Sequence, residues 1–215
     1  MKRFFEKVGV AIASRVGIAA AIALVAAAAL GGGYWWLRSQ GPRETVKGPG
    51  GVKVDVEDMA FYGKDDTKVT GKVFRPSEGL DEPRTAVIYC QSVYHGESWC
   101  RALAATGAVC YCFDFQGDGE KARMAELETV LNGIRALRHV DKDRVFLLGE
   151  GNGCLTASST TFDNSRKVQG LILVSPGFNP LEISRKAKKY SHPILVVDDA
   201  LGREANLEEI KAYID

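Results

Sequence analysis

Gly149-Glu150-Gly151-Asn152-Gly153, near the centre of the chain's second half, has the spacing of a bend built to present a side chain. It follows the apolar run Val145–Leu148 and precedes a helical stretch that begins at about Cys154. A strand, a glycine-spaced tight turn and a helix make up the G-x-S-x-G bend, whose central residue stands clear as a nucleophile. The glycines are needed because side chains flanking so sharp a turn would collide, and the central backbone is strained. In this chain the central residue is Gly151, which has no side chain, so covalent acyl transfer cannot occur at that position. Loss of one member of a nucleophilic triad costs about 10⁶ in turnover and leaves about 10³–10⁴ over water. Glycine in exchange relieves the strain that serine would store.

Other readings of the same residues are weaker. A dinucleotide-binding loop would need a third small residue where Cys154 stands, and an acid where the next strand ends Val174-Ser175-Pro176. Cys154 as a displaced nucleophile would sit in the first helical turn, where the helix dipole lowers a thiol pKa, but only His95 is available as a base. A buried core cysteine is the plainer reading. The five cysteines are Cys90, Cys100, Cys110, Cys112 and Cys154, an odd number without a CxxC pair. Cys110 and Cys112 point the same way along one strand and are badly placed to bond each other. No zinc site and no cofactor is expected. His139, at a helix end, suits the dipole and reads as structural.

The elements that must hold this bend follow from periodicity. Val52–Val56 and Val69–Phe74 alternate with period two, as antiparallel strands joined at Gly63–Asp66. Short continuous apolar runs then recur at Thr85–Cys90, Ala108–Phe113, Val145–Leu148, Val168–Val174 and Pro193–Val197. Helical stretches separate them at Ser98–Ala105, Lys121–Val140, Cys154–Phe162 and Leu181–Tyr190. Unalternating strands belong to a sheet buried on both faces, and alternation with helices implies right-handed crossovers. The spacing therefore predicts a three-layer α/β domain, mostly parallel, led by two antiparallel strands.

Three segments in this order resemble the α/β-hydrolase superfamily, nearest to its serine aminopeptidase-like and dienelactone hydrolase-like branches. They are "RTAVIYC", "CFDFQGDGE", which is similar to FDxRGxGxS, and "RALRHVDKDRVFLLGEGNGC". The resemblance covers Val52 to about Asp199. It implies that Gly151 occupies the nucleophile position, and that the loop after the third strand supplies an oxyanion amide. Either Cys90-Gln91 or His95-Gly96 stands at that place. The family's acid lies just past the last strand found here, near Asp198 and Asp199, with a register off by two or three residues. Its histidine follows that acid, whereas the last histidine of this chain is His192. The superfamily's final strand and helix are expected to be absent. Gln91, Ser92, His95, Glu150, Gly151 and Asn152 are expected to line the vestigial pocket.

Composition bounds the rest. The chain has 215 residues, 46% of them hydrophobic and 26% charged, with a formal net charge of +1. That leaves no basic footprint for nucleic acid. The cluster Arg185–Lys189 reads as a solvated face. Lys2, Arg3, Lys7 and Arg15 precede an uncharged run from Val16 to Leu37, long enough as a helix (about 33 Å) to cross a hydrocarbon core. Tyr34, Trp35 and Trp36 close it as an interfacial belt would. Residues 1–38 are therefore read as a cytoplasmic tail and uncleaved anchor, 39–51 as a linker, and 52–215 as the hydrolase-like domain. So short a tail stays inside and places the domain on the exoplasmic side.

A non-catalytic binding or accessory protein is expected, with a protein partner covering the C-terminal sheet edge. The alternative is an active hydrolase of small esters or amides that uses Ser92 or Cys154 as its nucleophile.

Overall fold

The computed structural model describes residues 38–39, 43–63, 67–79, 81–91, 93–198, 200 and 203–215. Nine strands form one sheet: β1 Arg38–Ser39, β2 Glu44–Lys47, β3 Lys53–Tyr62, β4 Lys68–Pro76, β5 Arg84–Gln91, β6 Val109–Asp114, β7 Val140–Glu150, β8 Gly170–Val174 and β9 Ile194–Val197. The helices are α1 Val93–Ala105, α2 Glu120–Arg135, α3 Gly153–Asp163 and α4 Arg203–Ile214. Across the sheet the order is β1-β3-β4-β6-β5-β7-β8-β9, with β2 also on β3. β5 to β9 are mutually parallel, while β3 and β4 join antiparallel at one side.

Each parallel strand is apolar throughout yet still sorts its side chains by period two. Ala86, Ile88 and Cys90 of β5 join one core with Leu127, Val130, Leu131 and Ile134 of α2 and Cys154 and Ala157 of α3. Val87 and Tyr89 join the other, with Trp99, Cys100 and Leu103 of α1 and Ile210 and Ile214 of α4. Both faces of the sheet are thus covered, which is why these strands do not alternate in sequence. All five cysteines are buried and unpaired. Burial pushes the Cys100 thiol well up, and the Cys110 and Cys112 thiols lie within hydrogen-bonding reach of it across the α1–β6 contact.

The expected antiparallel pair is found, with Val56 opposite Phe74. Three local readings are corrected. The stretch read as a linker carries β2 and a one-turn 3-10 helix at Pro49–Gly51. Leu181–Tyr190 is not an α-helix and holds only a 3-10 turn at Ala187–Lys189. There Asn179 Oδ1 accepts from Leu181 N and Ser184 Oγ from Lys186 N, side-chain bonds that favour turns over helix. A closing helix, α4, was not foreseen. Arg144 Nη2 fastens its end by donating to the carbonyls of Ile214 (2.7 Å) and Asp215 (3.0 Å). The expected anchor, Val16–Leu37, lies outside the described residues. Among those residues, no helix is long and apolar enough to cross a membrane.

Candidate functional site

The helix after β5 packs on one face of the sheet and the helices after β6 and β7 on the other. The C-terminal ends of β5 and β7 therefore flank the point where the winding reverses, the usual place for a crevice in an open α/β sheet. The glycine-spaced bend is there. β7 ends at Glu150 and α3 begins at Gly153, leaving only Gly151 and Asn152 to reverse the chain. Gly151 has φ +51°, in the left-handed region. Its N–H donates to the carbonyl of Val174 (3.4 Å), and its own carbonyl accepts from Cys154 N (3.2 Å).

The outer glycines are fixed by space. A Cβ on Gly153 would lie 1.5 Å from the carbonyl oxygen of Cys90, and one on Gly149 would lie 2.7 Å from Cys154 Cα. A Cβ on Gly151 would meet nothing nearer than Gln91 Nε2, at 3.7 Å. The bend thus retains the geometry of a nucleophile position and the room for a side chain, without the side chain.

Gly151 stands between its chain neighbours Glu150 and Asn152, with Gln91 Nε2 the nearest heavy atom to where its Cβ would lie. The structure adds Tyr89, which sequence reasoning missed. Tyr89 is 1% exposed, and its hydroxyl donates to Glu150 Oε2 in a short contact and stands 3.3 Å from Gln91 Oε1. A phenol has one proton, and the carboxylate is the stronger acceptor. Burial, then the Glu150 bond, pushes the Tyr89 phenol well above its ordinary value, so it remains a donor. The signal was available, since Tyr89 lies two residues before Gln91 and so on the same face of β5.

Ser175, also missed, follows β8 and is the only non-glycine among the described residues with positive φ, at +47°. Its hydroxyl is 3.5 Å from Asp198 Oδ1, which also accepts from Ala200 N (3.0 Å). Asp198 immediately follows β9, at the same end of the sheet as the bend. Ser92 and Asp199 lie outside the described residues.

Two expectations are corrected. His95 is not in a loop: α1 begins at Val93, so His95 stands exposed on its first turn, its ring edge-on to Tyr94 at 5.2 Å. Cys154 does sit in the first turn of α3, but burial outweighs the helix terminus and pushes its thiol up to about 12, the opposite of activation. His139 precedes β7 and His192 precedes β9, which places both at the end of the sheet away from the bend. Among the described residues no group of three or more His, Cys, Asp or Glu side chains is arranged to hold a metal ion.

A mostly parallel sheet in this strand order, a strand-turn-helix bend with left-handed backbone at its tip, and an acid after the last parallel strand define the α/β-hydrolase fold. Within it, the family model described as "Serine aminopeptidase, S33" matches residues 89–198, just over half of the chain, and the chain belongs to that family. Among solved structures, the chain is similar to an esterase from a structural analysis of two fungal esterases from Rhizomucor miehei. There the identity is 10% and the TM-score 0.58, covering 75% of this chain and 83% of that one. It is also similar to a dienelactone hydrolase-like promiscuous phosphotriesterase from metagenomic libraries, at 16% identity and TM-score 0.57, covering 74% of this chain and 78% of that one. At these identities the likeness establishes the fold alone. No curated protein matches the chain.

Proposed function

We propose that this chain is a membrane-anchored member of its family that has left acyl transfer and serves as a binding or accessory subunit. Gly151 is the observation that carries the reading: the tip of the bend holds a residue at φ +51° with no atom to attack a carbonyl. Two further features support it. The only histidine at the bend's end of the sheet, His95, is exposed on α1 against Tyr94. Cys154, the nearest thiol in sequence, is buried and held protonated. The anchor is the uncharged run Val16–Leu37, and the short basic tail before it places the domain on the exoplasmic side. A protein partner covers β9, the last strand of the sheet, whose Val196 is 50% exposed.

A fluorophosphonate probe for serines, an iodoacetamide probe for thiols and a panel of small esters test the loss of catalysis. The expected result is no labelling and no hydrolysis above background. Specific labelling at Ser92, Ser175 or Cys154 would establish the alternative, an active hydrolase with a displaced nucleophile. Finding the extracted chain strictly monomeric, with no apolar patch at β9, would remove the partner.

A further inference from the structure

We infer that β9 is the contact of a symmetric homodimer, in which it pairs antiparallel with β9 of a second copy across a two-fold axis at Leu195. The inference rests on the covering of β9 proposed above and names the partner as the chain itself. The hydrogen-bond ladder shows which groups are left over. β9 is the last strand of the sheet and pairs parallel with β8, Leu195 level with Ile172. The carbonyls of Pro193 and Val197 accept from Leu171 N (3.4 Å) and Ser175 N (2.9 Å). Backbone polar groups alternate sides along a strand, so Leu195 also points its N–H and C=O at β8, while Ile194 and Val196 point theirs outward. The next outward carbonyl, that of Asp198, accepts from Asn206 Nδ2 of α4 at 3.0 Å. The open edge therefore comes down to the N–H and C=O of Ile194 and of Val196, one residue on either side of Leu195.

That edge is complementary to itself. With Leu195 opposite its own copy, Ile194 lies opposite Val196 of the second chain, and each such pair exchanges both of its hydrogen bonds. The bonds use every outward group of the two strands and leave none over, as a contact between identical patches requires. A slip of two residues in either direction keeps only one of the pairs, and a slip of one residue keeps neither. The register is therefore set by the backbone alone.

The side chains agree with it. Ile194-Leu195-Val196-Val197 has no charge, proline or bulge within it to blunt the edge, and Val196 is 50% exposed. At the opposite side of the sheet the short strand β2 carries Glu44 and Lys47 at its ends. Charge also fixes the direction of pairing. Exposed Lys188 and Lys189 precede β9, and exposed Asp198 follows it. Antiparallel pairing brings the basic end of each strand to the acidic end of the other, with Asp198 level with His192 of the second copy. Parallel pairing would set like charges side by side.

Disulfide crosslinking of the purified full chain tests this, with the parent as background because its five native thiols are buried. In the inferred pair Leu195 faces its copy at a non-hydrogen-bonded position, Cα atoms about 4.5 Å apart, within disulfide reach. Val196 and its copy stand diagonally, about 7–8 Å apart, beyond that reach. On mild oxidation Leu195→Cys should run at twice its mass and Val196→Cys at its own, although Val196 is the more exposed. Chains with Ile194→Cys should crosslink to chains with Val196→Cys, which stand opposite at about 5.5 Å, more than either does to itself. Adding Val196→Lys to Leu195→Cys should abolish the dimer band while the thermal melt stays unchanged. Val196→Cys crosslinking to itself as readily as Leu195→Cys would overturn the inference, and so would the absence of any crosslink. In that last case alkylation of Val196→Cys separates the two readings. Slow reaction in extracts of the cells that make the chain, but fast reaction once it is purified, assigns β9 to a different protein. Fast reaction in both leaves β9 uncovered and removes the partner altogether.

Discussion

Replacing Gly151 by serine separates the two demands that the bend makes on its residues. The backbone term is the cost of holding a non-glycine residue at φ +51°, about 1–3 kcal/mol. The packing term is negligible, since the nearest heavy atom to a Cβ there is 3.7 Å away. Gly151→Ser should therefore fold and lose about 2–4 °C in Tm for each kcal/mol of that cost. Gly153→Ala reverses the balance. Its Cβ would begin 1.5 Å from the Cys90 carbonyl oxygen, so α3 would have to retreat by about 2 Å to reach ordinary contact. A loss well beyond about 3 kcal/mol is expected there, together with poor recovery of folded protein. Thermal melts of the two variants beside the parent measure the difference. The same Gly151→Ser protein tests the chemistry, because general-base transfer supplies about 10²–10⁴ in rate and the histidine at this end of the sheet, His95, is exposed on α1 against Tyr94. Ester hydrolysis should stay within about tenfold of the parent. Equal destabilisation by the two substitutions would refute the steric account, and rapid fluorophosphonate labelling of Gly151→Ser would refute the claim that no imidazole serves the bend.

Tyr89→Phe should cost about 1.5–3 kcal/mol by urea denaturation, because it strips Glu150 of its charge-assisted donor beneath the bend. Iodoacetamide at pH 8 should leave the folded domain unmodified and label all five cysteines in denaturant, since all five are buried from the reagent and burial pushes the Cys154 thiol up to about 12; fast labelling of the native protein would contradict this. Burial, then the positive charge of Arg75, holds His139 below its ordinary value. The unfolded chain therefore takes up that proton first, and stability should decline as pH falls below about 6.5. His139→Gln should flatten this part of the stability profile, and an unchanged slope would assign the dependence to another group.

Much of the frame was legible because burial on both faces leaves an unmistakable trace. Val145–Leu148 and Leu171–Val174 are apolar without a break, and alternate members belong to opposite cores. The bend was legible for a stricter reason, since Gly149 and Gly153 are positions where no other residue fits. What escaped was set by contacts between distant segments. Glu44–Lys47 is polar and reads as linker, yet the free edge of β3 recruits it as a strand. Leu181–Tyr190 has helical spacing, but local bonds from Asn179 and Ser184 bend it first. Gln91 and Glu150 followed from motif position as residues beside the bend. Tyr89 and Ser175 did not, because their roles arise only when neighbouring strand tips are set side by side.

The three thiols between α1 and β6 bear on how the domain is made. Cys100 has two neighbours of its own kind, Cys110 and Cys112, and the finished fold joins it to neither by a disulfide. Under oxidising conditions, a folding chain whose α1 has not yet docked offers all three to capture, and either crosslink would lock the helix onto the strand before the rest has packed. Once docked, the helix screens them. Refolding in an oxidising buffer is then a race between burial and oxidation, and slowing the docking of α1 should raise the yield of mis-bridged protein even where final stability is unaltered.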